Sequence, residues 1–269
     1  MDKKIGFIGC GNMGKAILGG LIASGQVQPG QIWVYTPSPD KVAALRDQYG
    51  INAADSAQEV AQIADIVFGA VKPGIMTKVL GDIASSLNKE SLVVSIAAGV
   101  TLEQLARALG HDRKIIRAMP NTPLMLGVGA TQLVKNAAAS EGQLAAVRSL
   151  FDKMGVTTVF DKEDMINEAI PYAGSAPAYI YAYADAMVQS AKKHGIDEQD
   201  ALQMFCQTMI GAAKMLMQGE KTPAELIRAV CSPGGTTLAG MQVLEERDLY
   251  GMVAEACDKC TARAYELGK

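Results

Sequence analysis

Residues 5–22 read Ile5-Gly6-Phe7-Ile8-Gly9-Cys10-Gly11-Asn12-Met13-Gly14-Lys15-Ala16-Ile17-Leu18-Gly19-Gly20-Leu21-Ile22. Ile5, Phe7 and Ile8 form an apolar run of strand length, and Gly9-x-Gly11-x-x-Gly14 comes directly after it. Ile17, Leu18, Leu21 and Ile22 then recur at helical spacing. Strand, glycine turn and helix in that order make a seat for a dinucleotide. Gly9 permits the tight turn, Gly11 lets backbone approach a pyrophosphate, and Gly14 lets the helix pack close to the strand. The phosphates meet the helix N-terminus, where free N–H groups and the positive end of the dipole favour an anion. Glycine turns also serve structural ends alone, but here the elements on both sides are the ones the motif requires.

Which dinucleotide is seated depends on the end of the second strand, Gln31-Ile32-Trp33-Val34-Tyr35, where NAD-binding chains place an acid against the ribose hydroxyls. The next residues in this chain are Thr36-Pro37-Ser38-Pro39-Asp40-Lys41. Hydroxyls come first and no carboxylate stands at the expected place to repel a 2′-phosphate. NADP(H) is therefore favoured, with Thr36, Ser38 and Lys41 as contacts, while Asp40 keeps NADH open. Ser38 also has an ordinary role available, as N-cap of the next helix.

With 269 residues, the chain has material for two modest domains, each with its own core. Apolar residues make up 49%, charged residues 20%, and the net charge is −3, which excludes a disordered chain and argues against a phosphate-tracking nucleic-acid binder. The chain enters a strand directly, without a signal-peptide pattern, and no apolar run approaches a membrane span. A cytoplasmic protein with neither nucleic-acid nor membrane partners is expected. Of its five cysteines only Cys257-x-x-Cys260 has a suggestive spacing, and without a second Cys or His pair these read as buried thiols, so no metal is expected.

Short apolar runs then alternate with helix-length segments: residues 51–54, 65–71, 92–96 and 114–119. Continuous rather than alternating runs are expected of parallel strands covered on both faces, giving a doubly wound α/β domain. Ligands sit beyond the carboxyl ends of such strands. Those positions carry Lys72-Pro73, Ala97-Ala98-Gly99 and Pro120-Asn121-Thr122-Pro123. Small residues let a flat ring lie against backbone, and Asn121 and Thr122 offer hydrogen bonds to a carboxamide or substrate, although a rigid proline turn explains the last loop equally well. Residues 128–134 and 156–160 read as strands flanking a helix over about 140–154 and extending the same sheet. Beyond Phe160 only helix-forming runs remain, so the division is placed at 1–161, dinucleotide-binding, and 162–269, helical.

Residues 176–188, beginning Ala176-Pro177-Ala178-Tyr179-Ile180-Tyr181, are apolar nearly all round, unlike a surface helix. Burial between two copies of the chain is the expected solution. The helix should stop at Lys192-Lys193-His194-Gly195, with basic residues at the negative dipole end and a glycine cap. Neither His194 nor His111, in a turn beside Gly110 and Asp112, is placed for acid–base work.

Cys231-Ser232-Pro233-Gly234-Gly235-Thr236-Thr237 interrupts the helices, and residues 238–246 resume one directly. Two glycines expose backbone N–H groups at a helix start, a seat for a carboxylate, and Ser232, Thr236 and Thr237 add hydroxyls. A threonine N-cap after a Pro-Gly turn accounts for one hydroxyl but not for three with two glycines. A small acid is the expected ligand.

Six motifs in order resemble the pyrroline-5-carboxylate reductase family over the whole chain. They are the residue 6–14 start, Ala70-Val71-Lys72-Pro73, Ser95-Ile96-Ala97-Ala98-Gly99, Met119-Pro120-Asn121-Thr122-Pro123, Gly174-Ser175-Ala176-Pro177-Ala178-Tyr179 and Ser232-Pro233-Gly234-Gly235-Thr236-Thr237. The resemblance implies a Rossmann-type domain followed by an all-helical dimerisation domain, and reduction of 1-pyrroline-5-carboxylate to L-proline with NADPH or NADH. It implies cofactor contacts at Ile8, Gly9, Cys10, Gly11, Asn12, Met13, Thr36, Ser56, Ala70, Val71, Lys72, Pro73, Ile96, Ala97 and Ala98. It places Thr237 on the ring nitrogen, Gly234, Gly235 and Thr236 on the substrate carboxylate, Ser232 at the loop start and Glu220 near the substrate. A cyclic imine needs little more once a hydride donor is aligned with its carbon, and solvent can supply the proton.

Two positions depart from the family pattern. Ala176 stands where a second glycine is usual and Arg228 where an aspartate is frequent, both bearing on substrate range. A β-hydroxyacid dehydrogenase shares the expected architecture but needs a lysine within a turn or two after a glycine-rich segment, and residues 174–188 hold none. A cofactor-binding regulator without catalysis has no use for a carboxylate seat beside a ring-nitrogen donor.

Overall fold

A computed structural model describes residues 2–267. The glycine turn joins β1 (Ile5–Ile8) to α1 (Asn12–Ala23). Then come β2 (Ile32–Tyr35), α2 (Pro39–Tyr49), β3 (Asn52–Ala53), α3 (Ala57–Ile63), β4 (Ile66–Gly69), α4 (Pro73–Ile83), β5 (Leu92–Ser95), α5 (Leu102–Leu109) and β6 (Lys114–Pro120). The sheet part ends with β7 (Gly129–Lys135), α6 (Glu141–Asp152) and β8 (Gly155–Val159). Among the described residues the eight strands form one sheet in the order β3-β2-β1-β4-β5-β6-β7-β8. The chain reverses its direction of travel across the sheet between β1 and β4, the switch point at which a crevice opens.

Both faces of this sheet are covered. On one side Phe7, Val34, Phe68, Val94 and Ile116 pack with Ile17, Leu21, Leu150 and Phe151, and Phe68 stacks on Phe7 at 4.9 Å while meeting Phe151 edge-on. On the other, Ile8, Val67, Val93 and Ile115 pack with Val60, Met76, Leu80 and Leu105. Neighbours such as Val93 and Val94 serve opposite layers, which is why the runs are apolar at successive positions.

One pairing differs from an all-parallel reading: β6 and β7 are antiparallel, with Met119 opposite Gln132. Parallel pairs need a crossover of a dozen or more residues, and the connection here is residues 121–128, holding only a short 3-10 turn at Thr122–Leu126.

The helices beyond are α7 (Asp164–Ala169), α8 (Ala176–Lys193), α9 (Glu198–Gln218), α10 (Pro223–Val230), α11 (Thr236–Glu246) and α12 (Leu249–Leu267). Capping boxes start α5 with Thr101 and Gln104, α6 with Ser140 and Gln143, and α10 with Thr222 and Glu225. The chain divides into two compact units, one running to Ser175 and regaining the chain from Cys260, the other Ala176–Lys259. Within the second, α8 packs on α9, with the Tyr183 and Phe205 rings 5.7 Å apart. In a single chain α8 buries only Ala184 and Val188, and Tyr179, Ile180, Tyr181, Tyr183 and Met187 are exposed. The burial expected of this helix is thus not supplied within one chain.

Candidate active site

The carboxyl ends of the parallel strands lie level. Ile8 is opposite both Tyr35 and Gly69, and Gly69 is opposite Ser95. The ladder runs one residue further into each loop: Gly9 N–H donates to Tyr35 O, Ala70 N–H to Ile8 O, and Ile96 N–H to Gly69 O. The loops beginning at Gly9, Thr36, Ala70 and Ile96 therefore leave the sheet side by side, and the expected cofactor residues 8–14, Thr36, 70–73 and 96–98 share one edge.

The three glycines of the turn act differently. Gly9 has φ +76°, and a Cβ there would press on Val71 and on Ala70 O. A Cβ at Gly14 would lie 3.1 Å from Ala70 Cβ, so this glycine sets how closely α1 approaches β4. Around Gly11 no atom of the described residues beyond its neighbours in the chain lies within 4 Å of such a Cβ, which leaves its backbone open to a ligand. Gly11 is also the N-cap of α1 and supplies no side-chain acceptor, so the first-turn N–H groups remain available for a phosphate. Cys10 in the same turn has its thiol pushed up to about 11 by burial, against the opposing charge of Lys15, and is a neutral group beside the seat.

At the ribose end a cleft of about 360 Å³ is lined by Tyr35, Thr36, Pro37, Arg46, Ala54 and Asp55, among others. Thr36 Oγ1 accepts the Ser38 N–H at 3.2 Å. Ser38 is the N-cap of α2 but makes no side-chain capping bond, so its hydroxyl is not spent on the helix. Ser56 caps α3 by accepting the Glu59 N–H and keeps its proton to donate. Arg46 was missed in the sequence; its signal is helical spacing, since Val42, Ala43 and Arg46 share a face of α2 that lines the cleft. A guanidinium with two hydroxyls suits a 2′-phosphate, and these residues fit an NADP group.

Asn121 is nearly buried and committed within the fold: Nδ2 donates to Ala173 O and Oδ1 accepts the Ala130 N–H. One amide hydrogen remains for a ligand. His111 and His194 are exposed, in a turn and beyond α8.

In the second unit, Gly234 has φ +70°, and Gly235 N–H donates to Ser232 O at 2.9 Å. A side chain at Gly235 would collide with Ser232 Oγ. Gly235 is the N-cap of α11 without a side-chain bond, leaving the N–H groups of its first turn, among them Thr236 and Thr237, without a capping acceptor. Thr237 with Cys231, Lys221, Leu226, Ile227 and Met241 lines a mainly apolar cleft of about 450 Å³. Glu220 lies exposed in the turn between α9 and α10, and Arg228 in the last turn of α10. An uncapped helix start carrying a hydroxyl beside an apolar wall can hold a carboxylate and orient a small ring.

Residues 163–267 match the family model described as pyrroline-5-carboxylate reductase dimerisation, and residues 4–99 the one described as NADP oxidoreductase, coenzyme F420-dependent. The chain is 59% identical over 269 residues to the pyrroline-5-carboxylate reductase of Escherichia coli (strain K12), covering all of both chains. The structure of a pyrroline-5-carboxylate reductase from Coxiella burnetii matches with a TM-score of 0.93 at 35% identity, again over 100% of each chain. That of Plasmodium falciparum pyrroline carboxylate reductase with NADP bound matches with a TM-score of 0.90 at 27% identity, covering 100% of this chain and 99% of that one.

Proposed function

The chain belongs to the pyrroline-5-carboxylate reductase family, and from that membership we propose that it reduces 1-pyrroline-5-carboxylate to L-proline, with NADPH as the preferred donor. The observation that carries the reading is the full-length 59% identity, which spans the Gly9 turn and the Ser232 to Thr237 loop alike. When bound, the dinucleotide supplies a hydride to the carbon of the C=N bond, and a proton from solvent completes the ring nitrogen.

Each part of the chain has a task in that step. The uncapped start of α1 and the open Gly11 backbone hold the pyrophosphate; Thr36, Ser38 and Arg46 hold the ribose phosphate; Ser56 has a hydroxyl proton to offer the same end. Residues 70–73 and 96–98 flank the nicotinamide, with Asn121 as a carboxamide donor. At the start of α11, Gly234, Gly235 and Thr236 receive the substrate carboxylate and Ser232 shapes the loop around them. Thr237 orients the ring nitrogen, and Glu220 stands near the substrate. Alignment of the two ligands carries most of the rate, so no histidine or lysine need act as an acid.

Residues 1–161 are assigned to the cofactor and residues 162–269 to the substrate and to assembly. Residues 163–267 carry the family's dimerisation domain, which supports a homo-oligomer. The exposed apolar face of α8, with Tyr179, Tyr183 and Met187, is the surface we assign to that assembly. None of the described helices is long and apolar enough to cross a membrane. The reaction is assigned to the cytoplasm, without nucleic-acid or membrane partners.

The test monitors NADPH absorbance with the purified protein and pyrroline-5-carboxylate, repeated with NADH and with Thr237→Ala. Oxidation of NADPH faster than of NADH, and slowed by the substitution, is expected. A protein that binds NADPH and leaves it unoxidised with this substrate would sink the reading.

A further inference from the structure

Arg117 stands in the middle of β6 and is 1% exposed. A guanidinium cannot shed its proton, so its burial demands a counter-charge. That charge comes from a residue 46 positions away: Arg117 Nη1 donates to Glu163 Oε1 at 2.9 Å. The same oxygen accepts the Leu102 backbone N–H at 2.7 Å. Leu102 opens α5, where the capping box of Thr101 and Gln104 occupies the N–H groups of those two residues. The Leu102 N–H is a further orphan of the helix start, and a carboxylate is the acceptor that the helix dipole favours there. One oxygen of Glu163 thus joins the centre of β6, the start of α5 and the N-cap of α7.

What the start of α5 fixes is the loop before it. Residues 96–101 leave β5 with Ile96 N–H on Gly69 O at 3.2 Å and Ala97 N–H near Ser95 Oγ at 3.4 Å. Ala97 and Val100 turn inward and are buried, while Ala98 is exposed. The near end of the loop is held by the sheet, and the far end by Glu163. As a stability device the pair is wasteful: Arg117 Nε and Nη2 make no hydrogen bond among the described residues, and apolar side chains of similar size generally do as well in such a place. A fixed loop position is what the pair adds.

We propose that Arg117 and Glu163 are positioning residues for hydride transfer, setting through the Leu102 N–H how the loop 96–100 stands against the nicotinamide. The inference rests on the reductase reading above. Misplacement by a fraction of an ångström is costly in a reaction whose rate comes from alignment.

Two variants test it. Leu102→Pro removes the N–H that Glu163 accepts at the first helical position, where proline is tolerated, and Thr101 before it already has extended backbone with φ −80° and ψ 158°. The double variant Arg117→Met with Glu163→Met removes the ion pair without leaving a lone charge. Three quantities are measured in each: amide exchange of residues 97–101 in the cofactor-free protein, kcat and KM with pyrroline-5-carboxylate, and the isotope effect with 4-deuterated NADPH. Faster exchange confined to the loop, kcat down by about tenfold or more with KM little changed, and a larger isotope effect are expected in both. A folded Leu102→Pro protein with wild-type exchange, kcat and isotope effect overturns the proposal, whatever the double variant does. Failure of the wild type to turn over pyrroline-5-carboxylate overturns the reductase reading instead, and loop exchange still reports on the tether.

Discussion

Asn121 Nδ2 donates to Ala173 O at 3.1 Å across 52 residues of chain, while its Oδ1 accepts the Ala130 N–H at 2.9 Å. The side chain pins the turn after β6 both to the start of β7 and to the segment that precedes α8. Asn121→Ala leaves a buried carbonyl and a part-buried N–H without partners, an expected loss of about 3 kcal/mol in urea unfolding. Asn121→Asp keeps the acceptor for Ala130 but turns a carboxylate oxygen toward Ala173 O with no counter-charge, so at neutral pH its loss should be at least as large as that of the alanine variant. An alanine variant as stable as wild type would show that water replaces both bonds.

Gly11 and Gly14 are three residues apart and answer to different neighbours, the first to open space and the second to Ala70. Gly11→Ala should leave the thermal midpoint of the cofactor-free protein unchanged while weakening NADPH binding by about tenfold, roughly 1.4 kcal/mol. Gly14→Ala should lower the midpoint before any cofactor is added, because the new methyl group pushes α1 away from β4. Fluorescence titration and a thermal melt on both variants check the pair. Equal loss of stability in the two would mean that Gly11 is a structural glycine after all.

The glycine turn, the strand runs and the loop at the start of α11 were legible because each is local: composition within a dozen residues states the element and the helix start it leaves uncapped. The direction of β7 was legible only indirectly, through the eight-residue connection 121–128, which is too short for a parallel crossover. The tie of Arg117 to Glu163 was not legible. Arg117 sits inside an apolar strand run, where a charged side chain reads as a strand end or an exposed edge, and its partner lies in a segment with no pattern of its own. The double duty of Asn121 escaped for the same reason, since its position in a proline turn suggests a ligand contact as readily as a pin. The exposed face of α8 was foreseen as needing cover, because an all-round apolar helix announces a deficit that a small unit cannot fill.

Cys10 offers a chemical check on the glycine turn. Burial, opposed by Lys15, pushes its thiol up to about 11, so at pH 8 only about one molecule in a thousand carries the thiolate. Alkylation at Cys10, read by mass spectrometry, should be slow at pH 8 and keep rising with pH past 10. Lys15→Met removes the one opposing charge and should slow it further. A rate that levels off near pH 9 would mean that the thiol is solvated and the turn more open than its geometry indicates.

The end of α12 is fastened by Tyr265, whose Oη donates to Glu168 Oε1 at 2.8 Å. That bond to a carboxylate, with smaller contributions from desolvation and from the charges of Glu168 and Asp164, raises the phenol from 10.0 to about 12. The protonated phenol is the form that the fold prefers. Its contribution to stability is therefore complete below pH 10, where the unfolded phenol is also protonated, and is lost as pH rises through about 12. Tyr265→Phe should lower the urea midpoint by a constant amount between pH 7 and 10, with the gap to wild type closing as pH rises further. Glu168→Gln should bring the tyrosine absorbance transition back toward 10. A gap that persists unchanged at the highest pH would assign the effect to the packing of the ring against its neighbours and not to its hydroxyl.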